Sequence, residues 1–284
     1  MGAGQPDPHA PEARPAGRPG GRIELRRVGL FCRDRGQADP ARELGEFLSS
    51  RKIELVALDS AAPSPCALDL VIAMGGDGTV LRALDLFHRC PVLAINFGTV
   101  GFLTAGDRRD LQAIIERVIA GRFIVSERLV LACEYPGGTV RAVNEIILGT
   151  SYHLVRIEVF VDGTRIRTIR GDGVVVGTPT GSTALLLSTG APIVMPDARC
   201  LILDGINEYN FTSRALILTP DTRIRLHLGE ETRGCQVQLL ADGRQVATVA
   251  PGAEVCVARA PYTARLIYLE ENYFFHNLSS KLGW

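Results

Sequence analysis

Residues 71–79 (VIAMGGDGT) place three glycines and one carboxylate in a short turn. Gly75, Gly76 and Gly78 let the backbone approach a ligand closely, and N–H groups at a following helix start favour an anion, most often phosphate. Phosphate repels a carboxylate, so we expect Asp77 to face a hydroxyl or a cation instead. A phosphate cradle beside a carboxylate indicates phosphoryl transfer to an alcohol. The alternative is a tight strand-to-helix turn with Asp77 as the helix N-cap.

The elements around this turn follow from its flanks. The apolar residues before it show no period, which is typical of a strand buried on both faces. Val80, Leu81 and Leu84 after it follow helical spacing. The sequence lacks the lysine of a Walker loop and the spaced glycines of a dinucleotide fingerprint. Phosphate charge must therefore be met by backbone groups, a metal ion and polar side chains, for which Thr79 and Arg82 are candidates.

Five further stretches carry glycines or polar side chains. They are residues 96–104 (NFGTVGFLT), 144–145 (NE), 170–173 (RGDG), 178–184 (TPTGSTA) and 281–284 (KLGW). Together with GGDGT, these stretches resemble the motifs of NAD kinases in order and in spacing. The resemblance runs from about residue 25 to the last residue. The combination is far more specific than any single motif.

The resemblance implies an ATP-dependent kinase that phosphorylates the adenosine-ribose 2′-hydroxyl of NAD to give NADP, with Mg²⁺ bridging the donor phosphates. Asp77 would be the general base that accepts the hydroxyl proton. The glycine turn, with Thr79 and Arg82, would hold the phosphates of ATP. NAD is the implied acceptor, and the two domains are expected to close over a cleft in which both substrates meet.

The resemblance also suggests roles for several acceptor residues, each with a structural alternative. Phe102 would contact adenine, or it is a core residue that anchors its loop. Asn144 and Glu145 would hold the ribose hydroxyls, because an amide and a carboxyl can donate and accept; the alternative is a strand-end turn. Asp172 would bind the nicotinamide end while Arg170 faces phosphate, or the two residues form a hairpin turn with a surface ion pair.

The hydroxyl-rich stretch 178–184 supplies the remaining acceptor contacts by resemblance. Thr183 and Ala184 would line the adenine pocket, whereas Thr180 and Ser182 could contact the substrate or only cap a helix. The complete acceptor set that we predict is Asn96, Gly98, Phe102, Asn144, Glu145, Arg170, Asp172, Thr180, Ser182, Thr183, Ala184 and Leu185.

Two departures from the family pattern concern the acceptor side. Leu185 and Leu186 stand where NAD kinases normally have a tyrosine and then a serine, and residues 205–209 (GINEY) replace a Pro-x-Cys-Pro-His stretch that is usual in the bacterial enzymes. These departures keep two alternatives open. One is a kinase of the same fold that acts on a nucleoside or polyol, and the other is a non-catalytic dinucleotide-binding sensor.

Composition narrows the class of protein. Of 284 residues, 46% are hydrophobic and 22% charged, which allows a globular core. Lysine plus arginine and aspartate plus glutamate both number 31, so we expect neither nucleic acid nor an anionic membrane as a partner. Seven cysteines without a Cys-x-x-Cys pair suit reduced thiols and a cytoplasmic protein. The five histidines lack metal-ligand spacing, so we expect no metal held by protein side chains. Separately, we expect a homodimer or homotetramer.

The pattern of elements predicts an α/β N-terminal domain with a parallel sheet, a mainly antiparallel β C-terminal domain and a C-terminal helix that returns to the first domain. We expect a disordered tail over residues 1–21, the α/β domain over 22–123, the acceptor domain over 124–269 and the returning segment over 270–284. We expect one helix with Asp39 as its N-cap and Pro40 at its first position. Two further helices are expected over residues 111–119 and 273–282. Expected strands of the second domain include 126–135, 139–148, 154–161 and 164–170.

Overall fold

The computed structural model describes residues 18–19, 23–32, 38–59, 67–96, 101–151, 153–210, 213–232 and 236–284, with the backbone alone for 18–19 and 38–41. Residues 97–100 of the motif at 96–104, among them Gly98, lie outside these ranges, as do two of the seven cysteines (Cys66 and Cys235) and one of the five histidines (His9). The predicted tail lies outside them too, apart from Arg18–Pro19. Those two residues pair with Val125 and Ile124, which corrects the expectation that the whole tail lacks a partner.

The helices are α1 (Ala38–Ser49), α2 (Asp77–Leu86), α3 (Leu111–Ile119), α4 (Leu185–Ser188) and α5 (Tyr273–Leu282). The strands are β1 (Arg18–Pro19), β2 (Arg27–Cys32), β3 (Glu54–Leu58), β4 (Leu70–Met74), β5 (Val92–Asn96), β6 (Gly106–Asp107), β7 (Ile124–Tyr135), β8 (Gly138–Ala142), β9 (Glu145–Gly149), β10 (Val155–Val161), β11 (Thr164–Gly171), β12 (Gly173–Gly177), β13 (Leu201–Ile206), β14 (Leu216–Leu218), β15 (Ile224–Leu228), β16 (Val237–Ala241), β17 (Arg244–Val249) and β18 (Glu254–Tyr268). Short 3₁₀ turns span Arg108–Asp110, Thr180–Thr183 and Glu230–Thr232.

Strands β3, β2, β4 and β5 form the predicted parallel sheet. Strand β4 is buried on both faces, as its unbroken apolar run requires. Val71 and Ala73 point to the core that α2 and α5 cover, whereas Ile72 and Met74 point to the core under α1 and α3. The glycine turn thus leaves a strand at the centre of a doubly covered sheet, and open α/β sheets bind ligands at this end of their strands.

The second half is antiparallel, as predicted. Strands β14, β13, β12, β9, β16 and β17 form one sheet, which packs on an antiparallel extension of the first sheet. The joining strand is β18, which pairs in parallel with β5 and antiparallel with β7. Helix α5 returns to the first domain, where Tyr273, Phe274 and Leu278 join the core beneath α2. The predicted fold class is confirmed.

Two boundaries differ from the predictions. Helix α1 begins at Ala38, so Asp39 and Pro40 lie inside its first turn rather than at the N-cap and first position. The predicted strand 139–148 is two strands, because β8 ends at Ala142 and β9 begins at Glu145. The break between them falls at Val143 and Asn144, within a predicted functional motif. Val140 and Ala142 before the break and Ile146 and Leu148 after it keep the same two-residue spacing, and only Asn144 interrupts it, so the apolar pattern predicted one strand.

Candidate active site

Asp77 is the first residue of α2, and Gly76 occupies the N-cap without a side-chain cap bond. The alternative interpretation of Asp77 as the N-cap is therefore wrong. Its carboxylate instead accepts the backbone N–H groups of Phe102 at 2.9 Å and Leu103 at 3.1 Å. A Cβ on Gly101 would lie 2.1 Å from Asp77 Oδ1, so only glycine allows this approach. Each carboxylate oxygen retains a lone pair for a further donor.

The glycine turn has the conformation that its residues predict. Gly75 has φ of 151°, and a Cβ there would lie 2.6 Å from Thr79 Oγ1. Gly76 and Gly78 are exposed, with open space around Gly76. Thr79 is 8% exposed and its hydroxyl lies beneath Gly75. Backbone at the exposed start of α2 can therefore approach an anion, whereas the Thr79 side chain mainly supports the turn.

Arg82 lies on α2 beside a carboxylate that three arginines share. Arg82 Nη1 is 2.8 Å from Asp85 Oδ2, and Arg244 Nη2 is 3.1 Å from the same oxygen. Arg141 Nη2 is 3.5 Å from Asp85 Oδ1. Arg141 and Arg244 belong to the second half of the chain, so the group ties α2 to the acceptor side. One carboxylate cannot neutralise three guanidinium groups, and this surface keeps a net positive charge.

Asn144 and Glu145 are consecutive residues, and each carries a buried polar atom that has no hydrogen-bond partner among the described residues. Asn144 Oδ1 and Glu145 Oε2 are buried and accept no hydrogen bond from the described residues. Burial is the main cause that raises the pKa of Glu145 to about 8; the Asp242 carboxylate raises it further, and the Leu185 N–H lowers it. The carboxyl is therefore largely protonated at neutral pH, so the pair can donate as well as accept.

Asp242 is a site residue that the sequence analysis missed. It lies between β16 and β17, and its carboxylate accepts the backbone N–H groups of Val143 at 3.0 Å, Asn144 at 2.7 Å and Glu145 at 3.3 Å. Burial raises the pKa of Asp242, while these three bonds lower it and Asp85 raises it. The Asp-Gly doublet at 242–243 was the available signal, but it indicated only a hairpin turn.

In the 178–184 stretch, Ser182 and Thr183 donate hydrogen bonds within their own turn. Ser182 is fully buried, donates to Pro179 O at 2.7 Å and accepts from the N–H of Val194 at 3.0 Å. Thr183 Oγ1 donates to Thr180 O at 3.3 Å. No side-chain bond caps α4 at Ala184, so the capping-only alternative for Thr180 and Ser182 is wrong.

Thr180 contacts a buried cation that sequence reasoning also missed. Arg128 is 2% exposed, and its guanidinium donates to Thr180 Oγ1 at 3.2 Å and to the hydroxyls of Tyr268 and Tyr273 at 3.0 and 3.1 Å. Tyr268 in turn donates to Leu103 O at 3.2 Å, beside the N–H that binds Asp77. Arg128 thereby joins the hydroxyl-rich turn to the loop that holds the candidate base.

Arg170 lies at the end of β11, and Asp172 lies just beyond it. Asp172 Oδ2 accepts the side-chain amide of Asn207 at 2.7 Å. Asn207 belongs to the segment that departs from the family pattern. Arg170 is exposed, and its backbone carbonyl accepts the N–H of Tyr209 from the same segment. The predicted surface ion pair between the two residues is not among the ion pairs of the described residues.

The remaining predicted residues occupy different surroundings. Phe102 is half-buried against the core under α2, which agrees with the anchoring alternative, and its carbonyl accepts from Asn277 of α5. Asn96 is 2% exposed and lines a cavity of about 300 Å³ between residues 104–107 and α5. Leu185 is half-buried, and its side chain packs on the core around Val175.

Two general expectations concern metals and membranes. Across the described ranges, no three His, Cys, Asp or Glu side chains come close enough together to hold a metal ion. None of the helices there has both the length and the apolar character that a membrane span requires. The cysteines in the same ranges (Cys32, Cys90, Cys133, Cys200 and Cys256) are free thiols, and burial raises the pKa of Cys133 to about 12.

Two family models match the chain. The ATP-NAD kinase N-terminal domain matches residues 59–123, and the ATP-NAD kinase C-terminal domain matches residues 144–269. The NAD kinase of Symbiobacterium thermophilum is 37% identical over 237 residues, which are 79% of this chain and 83% of that protein. The NAD kinase of Syntrophotalea carbinolica is 30% identical and covers 92% of this chain and 99% of its own length.

Two solved structures resemble the fold. Yeast NADH kinase complexed with NADH matches with a TM-score of 0.79 at 25% identity, covering 92% of this chain and 88% of that one. An NAD kinase from Archaeoglobus fulgidus in complex with ATP matches with a TM-score of 0.75 at 23% identity, covering 91% and 99%. The second likeness supports the fold alone.

Proposed function

The chain belongs to the NAD kinase family, and from this premise we propose that it transfers the γ-phosphoryl group of ATP to the adenosine-ribose 2′-hydroxyl of NAD. The observation that carries the proposal is that two buried oxygens of consecutive residues, Asn144 Oδ1 and Glu145 Oε2, have no hydrogen-bond partner in the described part of the chain. Buried polar atoms are normally satisfied, so such a pair indicates a ligand with adjacent hydroxyls. A ribose has that pattern.

Asp77 is the group suited to accept the hydroxyl proton. It lies at the start of α2, where the backbone favours phosphate, and the two loop N–H groups fix its orientation. When the 2′-oxygen attacks the γ-phosphorus, the bond to the ADP oxygen breaks, and the hydroxyl proton passes to the Asp77 carboxylate. Charge stabilisation and orientation then supply most of the rate.

The phosphates of ATP are proposed to lie over Gly75, Gly76 and Gly78, with Arg82 nearby. Magnesium enters as part of the substrate, Mg·ATP, because Mg²⁺ is commonly held by substrate phosphates and few protein carboxylates. The free thiols of the described part support a reducing, cytoplasmic location. A homo-oligomer is also proposed, supported by the exposed Ile217 on edge strand β14 and the exposed Tyr209 nearby.

The test is a panel of acceptors with Mg·ATP: NAD, NADH, adenosine and inositol, with ADP release and product identity measured. We expect NADP from NAD as the main product. Preferred turnover of adenosine or inositol would establish the related kinase on another alcohol. NAD binding without ADP release would establish a non-catalytic sensor. Light scattering on the same preparation measures the oligomeric state.

A further inference from the structure

We propose that Asp242 is a positioning residue for the acceptor: its carboxylate holds the Asn144–Glu145 pair so that Asn144 Oδ1 and Glu145 Oε2 face the ribose hydroxyls. The inference deepens the proposed function and rests on it, because the pair matters only if it binds the acceptor. Asp242 itself contacts backbone rather than substrate.

Several backbone hydrogen bonds join Asp242 to the Asn144–Glu145 pair and to Val143 before it. One carboxylate accepts from three consecutive N–H groups, and the residues that it joins lie 99, 98 and 97 positions apart in the chain. The backbone N–H of Asp242 also donates to Glu145 O at 3.1 Å, so the two segments bind each other in both directions. The N–H groups of Val143 and Asn144 fall in the break between β8 and β9, where no strand supplies a partner. Asp242 therefore holds the N–H groups of the backbone from which the side chains of Asn144 and Glu145 project.

Turn formation alone does not explain this aspartate. Asp242 has φ of 48° and Gly243 has φ of 71°, the left-handed pair that a two-residue hairpin needs. The hairpin between β10 and β11 uses the same doublet, with Asp162 at 47° and Gly163 at 83°. There the carboxylate accepts the backbone N–H of Arg223 at 2.8 Å, outside the candidate site. The two doublets thus share the turn and differ in what the carboxylate binds.

The same turn also contacts the helix that begins with the candidate base. Arg244, two residues after Asp242, donates to Asp85 on α2 at 3.1 Å. The turn at residues 242–244 therefore contacts both the Asn144–Glu145 pair and α2, the helix that begins with Asp77. A shift of this turn would change the distance between the acceptor hydroxyl and the base, and a displacement of about 1 Å can cost roughly 100-fold in rate.

Asp242 also affects the protonation of Glu145. The charged or polar groups that face Glu145 are the Asp242 carboxylate and the Leu185 N–H. Asp242 in turn faces Asp85, whose charge is shared with Arg82, Arg141 and Arg244. Removing the Asp242 charge should lower the pKa of Glu145. A role limited to folding would leave the pH dependence of acceptor binding unchanged, so this shift separates the two roles.

The test compares Asp242→Asn with Asp162→Asn in the full-length protein. Asparagine tolerates positive φ and suits the turn, so both hairpins should form. Measurements are kcat, KM for NAD, KM for Mg·ATP, the NAD Kd by calorimetry and hydrogen exchange at amides 143–145. Asparagine keeps Oδ1 but places an NH2 group where Oδ2 accepts the N–H of Val143, and two donors repel each other. We expect Asp242→Asn to displace the Asn144–Glu145 pair and to raise the KM and Kd for NAD about tenfold or more, because NAD then loses well-placed hydrogen bonds. The KM for Mg·ATP should stay within about twofold, and amides 143–145 should exchange faster. NAD affinity should fall as Glu145 loses its proton, and this fall should move to lower pH in Asp242→Asn because the pKa of Glu145 is lower there. Asp162→Asn should match the wild type.

Several results would overturn the inference. They are an NAD affinity of Asp242→Asn equal to that of Asp162→Asn, an equal rise in both KM values, or unchanged exchange at amides 143–145. If Asp242→Asn does not fold, Asp242→Ser, which keeps one acceptor oxygen without the charge, gives the same comparison. Failure of the wild type to phosphorylate NAD would refute the proposed function instead, and the exchange measurement would still decide whether Asp242 holds the pair.

Discussion

Replacing Glu145 with glutamine is expected to stabilise the folded protein increasingly as the pH rises from about 5 to 8. Glu145 is 5% exposed, one of its oxygens has no hydrogen-bond partner among the residues that the structure describes, and its pKa is raised from 4.5 to about 8, chiefly by burial. Glutamine has nearly the same shape and is always neutral. The substitution therefore removes the cost of keeping an ionisable group in this place.

The sign and size follow from linkage. A carboxyl with a higher pKa in the folded state binds a proton there at a pH at which the unfolded chain has lost it. The free energy of unfolding of the wild type then falls by about 1.4 kcal/mol per pH unit between the two pKa values. With pKa values of 4.5 and about 8, the accumulated difference is about 4 kcal/mol at pH 8 and vanishes as the pH falls below 4.5. The change with pH is the diagnostic quantity, because a constant packing difference between Glu and Gln cancels from it.

The assay is urea unfolding of the wild type and Glu145→Gln at pH 5, 6, 7 and 8, with Glu127→Gln as the control. Glu127 is an exposed glutamate on β7. The free energy difference between Glu145→Gln and the wild type should grow with each pH step, while that of Glu127→Gln should stay nearly constant. A difference for Glu145→Gln that is flat across this range would refute the raised pKa and the protonated state that we use in the acceptor site.

Three further substitutions test the phosphoryl-transfer side and the acceptor. Asp77→Asn should keep the fold but lower kcat roughly 10²–10⁴-fold, because an amide is no proton acceptor and can satisfy only one of the two loop N–H groups; normal steady-state turnover would remove Asp77 from the mechanism. Gly101→Ala would place a Cβ 2.1 Å from Asp77 Oδ1 and should lower kcat roughly 100-fold. Its control is Gly45→Ala, whose Cβ would meet its nearest neighbour at 3.7 Å and should not affect turnover. Leu185→Tyr should lower the KM for NAD by roughly tens of fold, through a regained stack and hydrogen bond. If the wild type prefers a nucleoside or polyol and this variant loses that activity, NAD is not the natural acceptor.

The sequence predicted those parts of the fold that depend on neighbouring residues. The buried strand β4, the glycine turn and α2 follow one another within residues 70–86, so apolar pattern and glycine chemistry were sufficient. The same holds for α3 and α5, whose predicted ranges agree with the structure. The alternation of strands and helices predicted the parallel sheet for the same reason. It did not predict that β18 joins this sheet to the antiparallel strands, because that pairing connects residues far apart in the chain.

The site residues also divide into those that a local motif indicates and those whose partners lie far away in the chain. Motif resemblance predicted roles for Asp77, Asn144 and Glu145, and these roles stay predictions. It missed Arg128, which looks like an ordinary strand residue between Glu127 and Leu129. Only folding brings its guanidinium to Thr180 and to tyrosine hydroxyls more than a hundred residues away. A buried arginine without a carboxylate is unfavourable, and this becomes visible only once its neighbours are known.

The two Asp-Gly doublets show the limit most directly. Residues 162–163 and 242–243 have the same sequence and nearly the same backbone angles, and each predicts a hairpin that the structure contains. Local sequence cannot distinguish them, because their turns require the same thing of the chain. They differ in the backbone that folding places opposite the carboxylate: one N–H of Arg223 for Asp162, and three N–H groups of the acceptor pair and its neighbour for Asp242. An aspartate that suits a turn can therefore also use its carboxylate to hold a candidate binding site. Which of the two turns does this depends on the backbone that folding places opposite the carboxylate.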